Sequence, residues 1–279
     1  MKRLSLFAAL SAAFEIIFLD QYGVLHDGYR AYPGAVTALK TLRKRGTKVV
    51  IVSNSGRPGQ MNALRMAKLG FSRDLYDHFL TSGDVAKMML QAADPPIRLR
   101  APMRCMTISS SDEHELADSV GLASTESGDE ADLVVISGSQ ADRIGLEDYA
   151  ARLAPAARRR VPCVCTNPDK RMLGLNGAVP GAGAIAELYE RLGGTVIWIG
   201  KPFPAIYSAA ASLVGSPDPG EILCVGDSVE HDIVGAHRFG AVAALVRTGI
   251  HAALSEAELV KEFARHGIAP DIILSRLEG

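Results

Sequence analysis

Residues 18–28 read FLDQYGVLHDG, and the run Glu15-Ile16-Ile17-Phe18-Leu19 leads straight into Asp20. A short apolar run of β-branched and aromatic residues, bounded by an aspartate and a glycine turn, predicts a buried strand with a carboxylate at its C-terminal end. In open parallel sheets that edge is where ligands bind. Two positions further on, where a second carboxylate would serve acid/base chemistry, the chain carries Tyr22.

Working outward, similar runs recur as KVVIVSN, TVIWIGK, EILCVGDS, AVAALVRTG and DIILSRL, with helical stretches between them. This rhythm predicts an α/β fold: a doubly wound parallel sheet covered by helices on both faces. Asp20, Ser53, Lys201 and Asp227 are each expected at or just past a strand's C-terminal end, so that one crevice collects them. Between KVVIVSN and TVIWIGK lies a second alternation, MTISS, DLVVISG and VPCVCTN. It predicts a smaller α/β domain over residues 83–183 inserted into a core made of residues 1–82 and 184–279.

The 279 residues include 30 basic and 31 acidic side chains, and no basic run is interleaved with aromatics. Nucleic acid is therefore not an expected partner, whereas a small phosphorylated metabolite is. The four cysteines, Cys105, Cys163, Cys165 and Cys224, lack the spacing of a zinc site and are expected as reduced, buried thiols. Residues 1–14 have a basic start and an apolar centre, yet Leu4, Phe7, Leu10 and Phe14 recur at helical spacing. They are expected as a short amphipathic helix on the sheet edge and not as a signal peptide, which points to a cytoplasmic protein without a membrane partner.

Phosphoryl transfer to a carboxylate requires that carboxylate, a divalent cation, a fixed positive charge and neutral donors around the phosphate. Asp20 is the candidate nucleophile. Asp227, in GDSVEHD, is placed to share Mg2+ with it, since magnesium favours one or two carboxylates plus waters and phosphate oxygens. Asp232 is a candidate for a metal-bound water or for orienting Asp227 and Lys201. Ser53 and Asn54 supply donors near a helix start, and Lys201 supplies the compact charge. Each motif is common by itself; their order and placement carry the signal.

That order resembles the haloacid dehalogenase-like (HAD) superfamily, whose four motifs match Asp20 in DQYGVL, Ser53 in VSNSG, Lys201 in GKPFPAIY, and Asp227 with Asp232 in GDSVEHDI. Only 33 residues separate Asp20 from Ser53, too few for an inserted domain, whereas 148 separate Ser53 from Lys201. A cap domain in the second gap, with CTNPD at residues 165–169 and PGAGAI at 180–185, is similar to class IIA of that superfamily, the nitrophenyl-phosphatase and sugar-phosphatase group. The resemblance implies a Mg2+-dependent hydrolase of small phosphate esters acting through an aspartyl-phosphate. It also implies a metal site of Asp20, Asp227, Asp232 and the backbone carbonyl of Tyr22, cap residues Asn167 and Asp169 near the substrate, and a homodimer formed through the cap.

The sequence departs from that family at Tyr22, where most of its phosphatases carry an aspartate as general acid and base. A phenol with a pKa of about 10 donates a hydrogen bond but is a poor base near neutral pH. Two alternatives follow: a phosphate-metabolite-binding or regulatory protein with little turnover, and a 2-haloacid dehalogenase-like hydrolase, a group in which tyrosine at this position is also found. His26 and Asp27 are candidates for a substitute base.

Overall fold

The computed structural model describes residues 14–174 and 177–277, so the helix expected over residues 1–14 lies outside the described residues except for Phe14. The strands follow in chain order as β1 (Ile16–Leu19), β2 (Lys48–Ser53), β3 (His78–Thr81), β4 (Arg104–Ile108), β5 (Ala123–Ser124), β6 (Leu133–Ile136) and β7 (Pro162–Cys165). They continue as β8 (Arg171–Gly174), β9 (Gly177–Pro180), β10 (Thr195–Trp198), β11 (Ile222–Gly226), β12 (Val242–Val246) and β13 (Ile272–Leu274). The chain divides into two compact units, one of residues 1–53, 60–80 and 201–279, the other of residues 54–59 and 81–200.

The first unit holds a six-stranded sheet in the order β13-β12-β11-β1-β2-β3. Strand β1 pairs in parallel with both β2 and β11, and the registers set Leu19 beside Ile51 and beside Val225. Alternate residues Ile17 and Leu19, Val49 and Ile51, and Leu223 and Val225 face one core. The helix Ala35–Lys44 buries Ala35, Ala38, Leu39 and Leu42, spaced three and four apart, in that same core. With these registers fixed by burial, the residues that follow β1, end β2 and follow β11 arrive at the same edge.

The second unit holds a five-stranded parallel sheet in the order β10-β7-β6-β4-β5, and β8 and β9 form an antiparallel hairpin. Met106, Ile108, Val134, Ile136, Cys163 and Cys165 face a core shared with Tyr149 and Leu153 of the helix Leu146–Arg158 and with Ile185 and Tyr189 of the helix Ala182–Arg191. All four cysteines are buried free thiols.

Two differences from the sequence reading have a physical cause. Strand β10, the TVIWIGK run, was expected in the first sheet but pairs with β7 in the second, with Trp198 beside Cys165. The second unit therefore extends past residue 183 to Gly200 and also takes residues 54–59. Strand β3 and the β8-β9 hairpin were not read from sequence; each is only four residues per strand. No helix among the described residues is long and apolar enough to cross a membrane.

Candidate active site

The chemistry-bearing residues of the first unit gather at the C-terminal edge of its sheet. Asp20 follows β1 directly, its backbone N–H donating to the Val225 carbonyl at 2.9 Å. Ser53 ends β2, and Asp227 follows β11. Lys201 differs from the expectation, because the strand before it belongs to the other sheet: it is the residue at which the chain re-enters the first unit.

Lys201 is 4% exposed, and its Nζ lies 2.7 Å from Asp20 Oδ1 and 2.8 Å from Asp232 Oδ1. Burial by itself would lower the ammonium pKa, but the charges of Asp20 and Asp232 overcome that and raise it, so the group stays protonated. Asp232 is fixed from its other side, where Oδ2 accepts from the Ser228 N–H at 3.1 Å. It sits in the π-helical turn Val229–Ile233, a rare geometry that recurs at functional sites. The Asp227 carboxylate accepts from the Ile250 N–H at 2.7 Å.

Two glycines make room for Asp227. A Cβ on Gly23, whose φ is +78°, would lie 2.0 Å from Asp227 Oδ2, and one on Gly249 would lie 1.7 Å from the same atom. Any side chain at either position would displace the carboxylate. Thr248 Oγ1 donates to the Gly23 carbonyl at 2.5 Å, so the loop after β12 and the turn after Asp20 close on Asp227 together.

Oxygens of Asp20, Asp227 and Asp232 all lie within 4.8 Å of one another. Three carboxylates against one ammonium are short of positive charge. Burial, with Asp232 adding to it and Lys201 opposing it, pushes the Asp20 pKa up to about 7. Burial, reinforced by Asp20 and Asp232, holds that of Asp227 well above the usual range. A hard, oxygen-only donor set with excess negative charge fits Mg2+.

A pH prediction follows for the protein held in chelator. Because the folded-state pKa of Asp20 is raised, the folded state binds the proton more tightly than the unfolded one, and stability is lost as pH rises from about 4 through about 7. Asp20→Asn removes that titration. The Tm of the variant should gain on that of the wild type across this window, as scanning calorimetry in chelator would show; a difference independent of pH would contradict the assigned crowding.

Gln21 was not singled out by sequence. It is 2% exposed, and its Nε2 donates to Ser53 Oγ at 2.6 Å. Tyr22 is 45% exposed, with its ring edge-on to His26 at a centroid distance of 4.5 Å and against Gly28. His26 is buried and neutral near pH 7, its pKa lowered to about 4 by burial, with Arg65 also lowering it and Asp27 opposing. Its Nδ1 accepts from the Gly28 N–H at 3.0 Å. Asp27 accepts from the N–H groups of Tyr29 and Arg30. His26 Nδ1 and the Asp27 carboxylate are thus engaged with the loop backbone, while His26 Nε2 is buried with no hydrogen-bond partner among the described residues.

The remaining candidates belong to the second unit. There the Asn54 amide donates to Asp169 Oδ1 at 2.8 Å, and Asn167 Oδ1 accepts from the Asp169 N–H at 3.1 Å. Asn54, expected as a phosphate donor, spends one amide hydrogen on Asp169. Arg57, in the same segment, makes a bidentate ion pair with Glu113 at 2.6 and 2.9 Å. The loops after β2 and β7 are thereby anchored within the second unit.

Comparison with known proteins identifies the family. A family model described as haloacid dehalogenase-like hydrolase matches residues 17–123, and a second, HAD-hydrolase-like, matches residues 198–278. Chronophin of Bos taurus is 30% identical, over 91% of this chain and 88% of its own length. The crystal structure of a haloacid dehalogenase-like hydrolase from Brucella suis is 32% identical, with a TM-score of 0.77 over 91% of this chain and 95% of that one. That of a glycerol phosphate phosphatase from Mycobacterium tuberculosis in complex with magnesium is 27% identical, with a TM-score of 0.72 over 95% of this chain and 76% of that one. With matched motifs, matched fold and these relatives, the chain belongs to the haloacid dehalogenase-like hydrolase family.

Proposed function

We propose that this protein is a Mg2+-dependent hydrolase of small phosphate monoesters that works through an aspartyl-phosphate on Asp20. The observation that carries the reading is the convergence of Asp20, Asp227 and Asp232 around the buried Lys201. Asp20, Asp227, Asp232 and the Tyr22 backbone carbonyl would hold the ion. When bound, Mg2+ supplies charge neutralisation for the carboxylate cluster and the phosphate oxygens.

Asp20 attacks phosphorus, an Asp20 oxygen–phosphorus bond forms, and the bond from phosphorus to the ester oxygen breaks; the leaving alkoxide or phenolate takes a proton from solvent. Water then attacks the phosphorus of the acyl phosphate, inorganic phosphate leaves, and the Asp20 carboxylate is restored. Lys201 opposes protonation of the nucleophile and stabilises charge on the transferring group. The Ser53 hydroxyl donates to a phosphate oxygen, and Asn167 and Asp169 are assigned to the leaving group's recognition.

Dehalogenation is disfavoured by the crowded carboxylates, since displacing halide needs no cation and Asp227 and Asp232 would then be a liability. A low-turnover phosphate-binding role remains the second reading, and Tyr22 in place of an acidic partner is what favours it. The reading includes a cytoplasmic setting, supported by four buried free thiols, and no nucleic-acid or membrane partner, supported by the balanced charge. A homodimer through the second unit belongs to it as well.

Lacking a positioned acid at residue 22, the protein should depend strongly on the leaving group. Across a series of aryl and alkyl phosphates at saturating Mg2+, kcat/KM is expected to fall by about 10² or more from good to poor leaving groups. A flat series would show that some group already protonates the leaving oxygen.

A further inference from the structure

We infer that Gln21 is a positioning residue that fixes the Ser53 hydroxyl as a hydrogen-bond donor to the phosphate; this rests on the phosphatase reading of the site. The side chain lies deep in the first unit, and its Nε2 is 2.6 Å from Ser53 Oγ. Sheet register explains the pairing. Leu19 lies beside Ile51, so two residues further along each strand Gln21 comes level with Ser53.

A hydroxyl has one hydrogen and two acceptor sites. With the amide N–H of Gln21 occupying an acceptor site, the Ser53 hydrogen is directed away from Gln21, and Ser53 is used as a donor. An anionic phosphate oxygen requires that polarity. The reverse polarity, with Ser53 donating to residue 21, would present lone pairs to the phosphate and repel it.

Gln21 also ties this serine to its neighbours through the backbone. Its N–H hydrogen-bonds the Asp20 carboxylate, and its carbonyl accepts from Leu25 N–H at 2.9 Å and from His26 N–H at 3.2 Å. Nucleophile, phosphate donor and the turn bearing Tyr22 are therefore linked through one residue whose side chain needs an amide rather than an apolar group. Burial without that amide would remove a donor from the Ser53 oxygen.

The test uses inorganic phosphate as competitive inhibitor of p-nitrophenyl phosphate hydrolysis at saturating Mg2+. Gln21→Leu removes the donor, and Gln21→Glu keeps the shape but offers an acceptor that draws the Ser53 hydrogen inward. The phosphate Ki is expected to rise about tenfold in Gln21→Leu and by more in Gln21→Glu, as loss and reversal of a charge-assisted hydrogen bond imply. In a Ser53→Ala background the same two substitutions should leave the Ki unchanged relative to Ser53→Ala alone, a coupling that a merely structural role would not produce. Equal Ki values in wild type and both Gln21 variants, or effects that persist without the Ser53 hydroxyl, would overturn the assignment while leaving the phosphatase reading intact. A wild type that neither turns over the ester nor binds phosphate would overturn both.

Discussion

Replacing Tyr22 by aspartate is expected to raise the turnover of alkyl phosphate esters by about 10² to 10⁴, the usual worth of a positioned general acid and base. The reasoning is local. Position 22 follows the nucleophile by two residues in a turn whose backbone is already pinned by the Gly23 N–H on the His26 carbonyl and by Thr248 on the Gly23 carbonyl. The Tyr22 ring is 45% exposed and packs edge-on to His26 and against Gly28, so its removal opens no core cavity. The neighbouring candidates hydrogen-bond the loop backbone, His26 through Nδ1 to Gly28 and Asp27 to Tyr29 and Arg30. The gain should be large for alkyl esters and small for p-nitrophenyl phosphate, whose leaving group needs little protonation. An alkyl-ester rate unchanged by Tyr22→Asp would show that acid/base help does not limit this protein.

Much of the site was legible in the sequence because its parts are local. An apolar run that ends in Asp20, another that ends in Ser53 and a third that ends before Asp227 each announce a strand end, and burial fixes their register. Sheet membership was not legible for β10. TVIW has the same composition as the strands of the first sheet, and only its pairing with β7 assigns it. Lys201 was found by its motif although the strand argument for it was wrong. Gln21 escaped because its partner is 32 residues away, and only the β1-β2 register brings the two together. The glycine pressed against Asp227 at position 249 left a readable trace, a Thr-Gly turn after an apolar run, whose role depends on contact with a different loop.

Asp20→Asn is expected to lower Mg2+-dependent hydrolysis by roughly 10⁴-fold or more, because the amide cannot form the acyl phosphate and the neighbouring carboxylates, Asp227 and Asp232, are assigned to the cation. The substitution is nearly isosteric, and it removes one of three crowded carboxylates, so the variant should fold. Loss of activity then reports chemistry and not misfolding, which the chelator calorimetry described above checks on the same sample. A variant that kept a tenth of wild-type turnover would remove Asp20 from the nucleophile's role.

The most direct test of the account is turnover of p-nitrophenyl phosphate by the wild-type protein with Mg2+, by the same protein in chelator, and by Asp20→Asn with Mg2+. The account predicts hydrolysis in the first sample and background rates in the other two. Equal rates in all three would contradict it.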